Sequence, residues 1–77
     1  MSIVNLHTLK IGNKFFVSQY LIDQSERHQL LEIGMIPSAL LEVVHKSFSF
    51  IIIKCNGYKF AISEGIAKKL LVSQVIM

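Results

Sequence analysis

Phe50-Ile51-Ile52-Ile53-Lys54-Cys55-Asn56-Gly57-Tyr58-Lys59-Phe60-Ala61-Ile62 reads as two apolar runs separated by a two-residue break. Asn and Gly both accept the positive φ angles of a type I′ turn, so Asn56-Gly57 predicts a tight hairpin. A two-residue loop fixes the register: Cys55 pairs with Tyr58, Ile53 with Phe60, and Ile51 with Ile62. Side chains alternate along a strand, so these six share one face, expected to be the core side. The opposite face sets Lys54 against Lys59, a like-charge pair tolerable only in water. Farther along that face lie Ile52, Phe50 and Phe48, apolar side chains directed away from the core.

Working outward, the third strand covers Phe48–Cys55 and the fourth Tyr58–Ile62. A tight turn around Ser47 joins the third strand to a preceding one, Leu40–Lys46. An earlier strand, Phe15–Ile22, is rich in aromatic and branched residues. It follows a turn over Leu9-Lys10-Ile11-Gly12-Asn13, where Gly12 is free to take positive φ. Asp23-Gln24-Ser25-Glu26 fits a capping box, opening a helix through Leu30, Leu31 and Ile33. Gly34 ends that helix at the left-handed position, Met35 is placed to contact Leu30 across the end, and Pro37 prevents a restart. Ser63 caps a second short helix, with Glu64 in its first turn and Lys68-Lys69 near its end, and Leu71–Ile76 closes the chain as a strand. Five short strands and two small helices predict a mainly β fold, a small and strongly bent barrel.

The chain has 77 residues, enough for one domain over 1–77. Its one cysteine, Cys55, excludes an internal disulfide. Hydrophobic residues make up 52% and charged residues 17%, against about 25% charged in an average domain. A domain this small cannot hide so much apolar surface, so an interface is expected, with a partner or with a second copy of the chain. The net charge is +3, but the cations are scattered and only Lys68-Lys69 are adjacent. That pattern fits a solvated surface, and nucleic acid is not the expected partner. The apolar run Phe50–Ile53 falls far short of the ~20 residues of a spanning helix. Met1-Ser2-Ile3-Val4-Asn5 lacks the basic start and long apolar stretch of a signal peptide, so a cytoplasmic location is expected.

No nucleophile and base are arranged for catalysis, and there is no glycine-rich phosphate cradle. Cys55 falls on the buried face, where a thiol is inert packing. The expectation is therefore a binding protein, with no enzymatic activity and no cofactor. His28 and Glu32 lie four apart on the first helix and are weak candidates for a metal site. Two ligands are too few, however, and neither His7 nor His45 completes a recognisable spacing. Phe15, Tyr58 and Phe60 are expected in the core, while Phe48, Phe50 and Ile52 are the candidate partner-binding residues.

Arg27-His28-Gln29-Leu30-Leu31-Glu32-Ile33-Gly34-Met35-Ile36-Pro37 resembles the signature of FeoA proteins, a basic-flanked Leu-Leu pair followed by Gly, an apolar residue and Pro. Gly57 with Tyr58, then Ser63, Ala67 and Leu71-Val72, are similar to the family's later stretch, so the resemblance spans roughly residues 6–73. It implies an SH3-like barrel with a cytoplasmic role in bacterial ferrous iron uptake. It also implies a partner, FeoB, a membrane iron transporter with a cytosolic GTP-binding domain. Domains of this type also stand at the C-terminus of metal-dependent repressors. Two departures bear on the partner. Ser38 replaces the family's second glycine, which suits a type I turn and strains a type II one. A longer family loop is reduced to the residues around Ser47-Phe48-Ser49, which shifts the expected contact to Phe48 and Phe50. The alternatives from other classes are a nucleic-acid-binding small barrel, with Phe48 and Phe50 stacking on bases, and a stand-alone metal-sensing domain resting on His28 and Glu32.

Overall fold

Local signals place most of the chain reversals. In the computed structural model, which describes residues 3–76, Asn56 and Gly57 have φ of 49° and 87°, the pair of positive angles that a type I′ turn requires. Met1, Ser2 and Met77, at the ends of the expected 1–77 domain, lie outside the described residues. The strands are β1 (Ile3–Asn5), β2 (Lys14–Tyr20), β3 (Leu41–Lys46), β4 (Phe50–Cys55), β5 (Tyr58–Ser63) and β6 (Leu70–Val75). The helices are α1 (Gln24–Glu32) and α2 (Glu64–Ala67), and a 3-10 turn over Leu6–Thr8 follows β1.

The strands form one six-stranded antiparallel sheet in the order β1-β6-β2-β3-β4-β5. The β4–β5 register is the one Asn56-Gly57 predicts: Cys55 faces Tyr58, Ile53 faces Phe60 and Ile51 faces Ile62. Two register shifts, between Val17 and Gln19 and between Val43 and His45, mark irregularities in β2 and β3. Such bulges bend a strand and increase its twist, which lets one sheet wrap around its own core. β2 bonds to β6 along its length but to β3 only at Lys14↔Glu42 and Phe15↔Leu41, so the sheet turns sharply there.

Inside the bend, Leu6, Phe15, Met35, Leu41, Val43, Ile51, Ile53, Leu70 and Val72 are fully buried. Each large side chain of this kind contributes about 1.5–3 kcal/mol relative to exposure. The nine-residue helix α1 buries only Leu30 within its span. A helix so short is unstable alone, so its ends carry unusual weight. Asp23 accepts from the Glu26 N–H at 2.8 Å. At the other end the Gly34 N–H donates to the Leu31 carbonyl and the Met35 N–H to the Leu30 carbonyl, with Gly34 at φ +108°. This is the crossed hydrogen-bond pair of a Schellman ending.

Five expectations need correction. The sheet has six strands, because the three-residue β1 is too short to show alternation and exists through its pairing with β6. β4 begins at Phe50 and not at Phe48, because residues 47–49 are taken up by the turn, which the Ser47 N–H closes by donating to the Phe50 carbonyl at 2.9 Å. β3 begins at Leu41 and β2 ends at Tyr20, which leaves Leu40 and Leu21 outside the strands and exposed. Tyr58 is 46% exposed rather than core: its rung partner Cys55 is buried, but β5 is the edge of the sheet, and the Tyr58 hydroxyl donates outside it to the Ile33 carbonyl at the end of α1. Phe60 is partly buried and packs against the core.

Candidate interaction surface

Three neighbouring strands, β3, β4 and β5, share an outer face of the sheet away from the core. Alternation on β4 sends Ile51, Ile53 and Cys55 inward and Phe50, Ile52 and Lys54 outward. The register carries this across the hairpins: Ile52 lies between His45 and Ala61, Phe50 beside Ser63, and Lys54 between Glu42 and Lys59. The face is therefore graded, aromatic and aliphatic near the β3–β4 turn and charged near the Asn56-Gly57 turn.

At the aromatic end Phe48 is 100% exposed and Phe50 36%, while Ile52 is half-buried. The His45 and Phe50 rings lie 6.3 Å apart between centroids, so His45 lines the same end. Phe48 is presented by a fastened turn. The Ser47 hydroxyl oxygen accepts from the Ser49 and Phe50 N–H groups, and the Ser49 carbonyl accepts from Glu64 N–H at the start of α2. Lys46, just before the turn, donates from Nζ to the His7 and Leu9 carbonyls at 2.7 and 2.8 Å, tying β3 to the 3-10 turn. Tip and base are thus both held by hydrogen bonds that leave the Phe48 ring without protein contact.

A second apolar group, not anticipated from the sequence, surrounds the end of α1. Ile33, Ile36 and Tyr58 are all exposed there. Three successive carbonyls after the helix each meet a side chain from a different strand. Ile33 accepts from the Tyr58 hydroxyl at 2.8 Å, Gly34 lies 3.9 Å from the Cys55 thiol, and Met35 accepts from the Tyr20 hydroxyl. The Arg27 guanidinium sits 5.3 Å over the Tyr20 ring. Withdrawal from water pushes both tyrosines above their ordinary value of 10.0; beside Tyr58 the Cys55 thiol adds to the rise, and beside Tyr20 the Arg27 charge opposes it. These partners connect residues 15 to 25 positions apart, so no local motif signals them. Ala39 N–H donates to the Ile36 carbonyl across Pro37-Ser38, and Ser38 avoids positive φ, as a type I turn demands.

The structure brings His28 and Glu32 together, with Nε2 2.9 Å from Oε1, on an exposed helix surface. A solvated i,i+4 pair accounts for the contact. Among the described residues no group of three or more His, Cys, Asp or Glu side chains gathers for a metal ion. Cys55 is buried. A cleft of about 320 Å³ between Gly12-Asn13-Lys14 and Gln74-Val75-Ile76 offers amides and an ammonium but no nucleophile with a base. No helix of the described residues is long and apolar enough to cross a membrane.

The family model for the FeoA domain matches residues 4–74. Among curated proteins, none matches the sequence. Among solved structures, the crystal structure of an iron uptake regulatory protein (FeoA) superposes with a TM-score of 0.86 at 29% identity, covering 96% of this chain and 100% of that one. The solution structure of the FeoA protein from Chlorobium tepidum gives 0.86 at 23% identity, over 95% of this chain and 71% of the other. A manganese-dependent transcriptional repressor in complex with manganese gives 0.85 at 16% identity, over 95% of this chain and 37% of its own. These last two likenesses are of fold alone.

Proposed function

The chain belongs to the FeoA family, and from that membership we propose that it is a cytoplasmic accessory protein of ferrous iron uptake which docks on the cytosolic side of a FeoB-like transporter. A role in ferrous iron uptake is what the family implies, and the SH3-like fold is shared with its members. The docking step rests on one observation: Phe48 stands fully exposed on a fastened turn, next to the partly exposed Phe50 and Ile52 on the outer face of β4. An exposed ring held in place by hydrogen bonds loses little further freedom when a partner covers it, which favours binding.

On this reading the protein acts as one domain over residues 1–77 and catalyses no reaction. GTP is bound by the transporter, and the accessory chain changes what the transporter does through contact. The interface is of modest area, since the graded face spans only three strands. Calorimetric titration of the chain into the transporter's cytosolic GTP-binding portion tests the reading. Saturable binding by the natural chain and its loss in Phe50→Ser are expected; equal binding by both would overturn it.

A further inference from the structure

The charged end of the same face is unbalanced. Lys54 and Lys59 are directly opposite each other and both exposed. Flanking a two-residue loop, Cys55 and Tyr58 form the hydrogen-bonded pair, so the next pair, Lys54 and Lys59, takes the closer spacing of about 4.5 Å between Cα atoms. Like charges directly opposite destabilise a sheet. Among the described residues neither lysine forms an ion pair with Asp or Glu, although Glu42 is Lys54's register partner on β3. Lys14 faces Glu42 from the other side. The rung thus carries three cations and one acid across four strands, about 14 Å at normal strand spacing. A cleft of about 140 Å³ lined by Lys14, Leu40, Glu42 and Lys54 opens beside it.

We propose that this face receives an acidic peptide segment of the partner, with a carboxylate bridging Lys54 and Lys59 and its apolar side chains lying over Ile52 and Phe50. The inference deepens the docking reading above and rests on it. Lys54 and Phe50 are four residues apart, about 14 Å along the strand, within the span of a short extended segment. Charge complementarity selects the occupant: the cations are at one end of the face and the rings at the other. Nucleic acid needs cations beside the rings on which its bases stack. A lipid surface meeting the Phe48 tip would meet the Glu64 end of α2 and not the lysine pair.

The test uses fluorescence anisotropy with a synthetic peptide carrying Glu-Glu at one end and Leu and Phe at the other. The chain should bind it at low salt, and the double variant Lys54→Glu, Lys59→Glu should weaken binding by about tenfold or more. The same variant, shown to be folded by its circular dichroism spectrum, should bind a peptide with Lys-Lys in place of Glu-Glu more tightly than the natural chain does. Equal affinity of both proteins for the acidic peptide would overturn the proposal. So would capture of an RNA oligonucleotide or of phosphatidylserine vesicles in place of the peptide. If the double variant binds the transporter portion as tightly as the natural chain while Phe50→Ser does not, this proposal falls and the docking reading stands. If Phe50→Ser also binds undiminished, the docking reading falls with it.

Discussion

Tyr58 lies across Gly34, with its hydroxyl in the space a β-carbon at position 34 would occupy, and donates from there to the Ile33 carbonyl at 2.8 Å. Gly34 is therefore required twice, once by its φ of +108° and once by the ring above it. Gly34→Ala should destabilise the fold by about 1–3 kcal/mol from backbone strain, and further from displacement of the Tyr58 hydroxyl. The two parts separate in a double-mutant cycle. In the Tyr58→Phe background the Gly34→Ala cost should fall by roughly 1 kcal/mol, read from urea midpoints at unchanged slope. Strict additivity would show that the two residues do not interact.

The same tyrosines predict the alkaline behaviour. Both fold with pKa values raised above 10.0, so the native state holds these protons more tightly than the unfolded chain. Their contribution is fully present below pH 10.0 and is lost as pH rises through the folded values. Stability measured by urea unfolding should fall above that point. The double variant Tyr20→Phe, Tyr58→Phe should show a shallower fall over the same range, and an identical slope would contradict the assignment.

What was legible in the sequence was whatever is decided by neighbours in the chain. Asn56-Gly57 specifies its turn through two backbone angles, and with it every pair of the β4–β5 ladder. Asp23, Gly34 and Ser63 bound the helices through bonds to residues no more than four positions away. β1 leaves no signal in the sequence, because a three-residue strand shows no period and is defined by β6, almost seventy positions on. Tyr58 is misread for a related reason: alternation gives the side a residue faces, but not that its strand forms the edge of the sheet, where Tyr58 is exposed while Cys55 on the same rung is buried. The pattern around Phe48 points to the right hairpin but the wrong element, because the turn length depends on Ser47 closing onto Phe50. The candidate surface and its grading from lysines to rings are thus readable along β4 and β5, while the neighbours that β3 contributes, His45 beside Ile52 and Glu42 beside Lys54, follow only from the long-range pairing.

Lys46 gives a separate test of how the tip is held. Its ammonium donates to two carbonyls at the 3-10 turn, and both would be left short of a partner in Lys46→Met. Hydrogen bonds to charged groups contribute about 1.5–3 kcal/mol, and the partial exposure of this site favours the lower end. A loss near 1.5 kcal/mol is expected in urea unfolding, along with faster amide exchange at Leu9. A variant as stable as the natural chain would remove Lys46 from the account.

The exposed pair on α1 should behave as a surface contact. Alanine at both His28 and Glu32 is expected to change stability by less than about 1 kcal/mol. Titration of ferrous iron or zinc into the natural chain is expected to show no stoichiometric site that this double variant loses. A micromolar site abolished by the variant would show that the pair holds metal.

The most direct measurement concerns the aromatic end of the face. Phe48 is fully exposed and Phe50 about one-third exposed, so serine at both positions should lower the melting temperature by only several degrees and leave a cooperative unfolding transition. Titrated calorimetrically against the cytosolic portion of a FeoB-like transporter, the natural chain should bind and the Phe48→Ser, Phe50→Ser variant should lose about tenfold or more in affinity. A folded variant that binds the transporter as tightly as the natural chain would contradict the account.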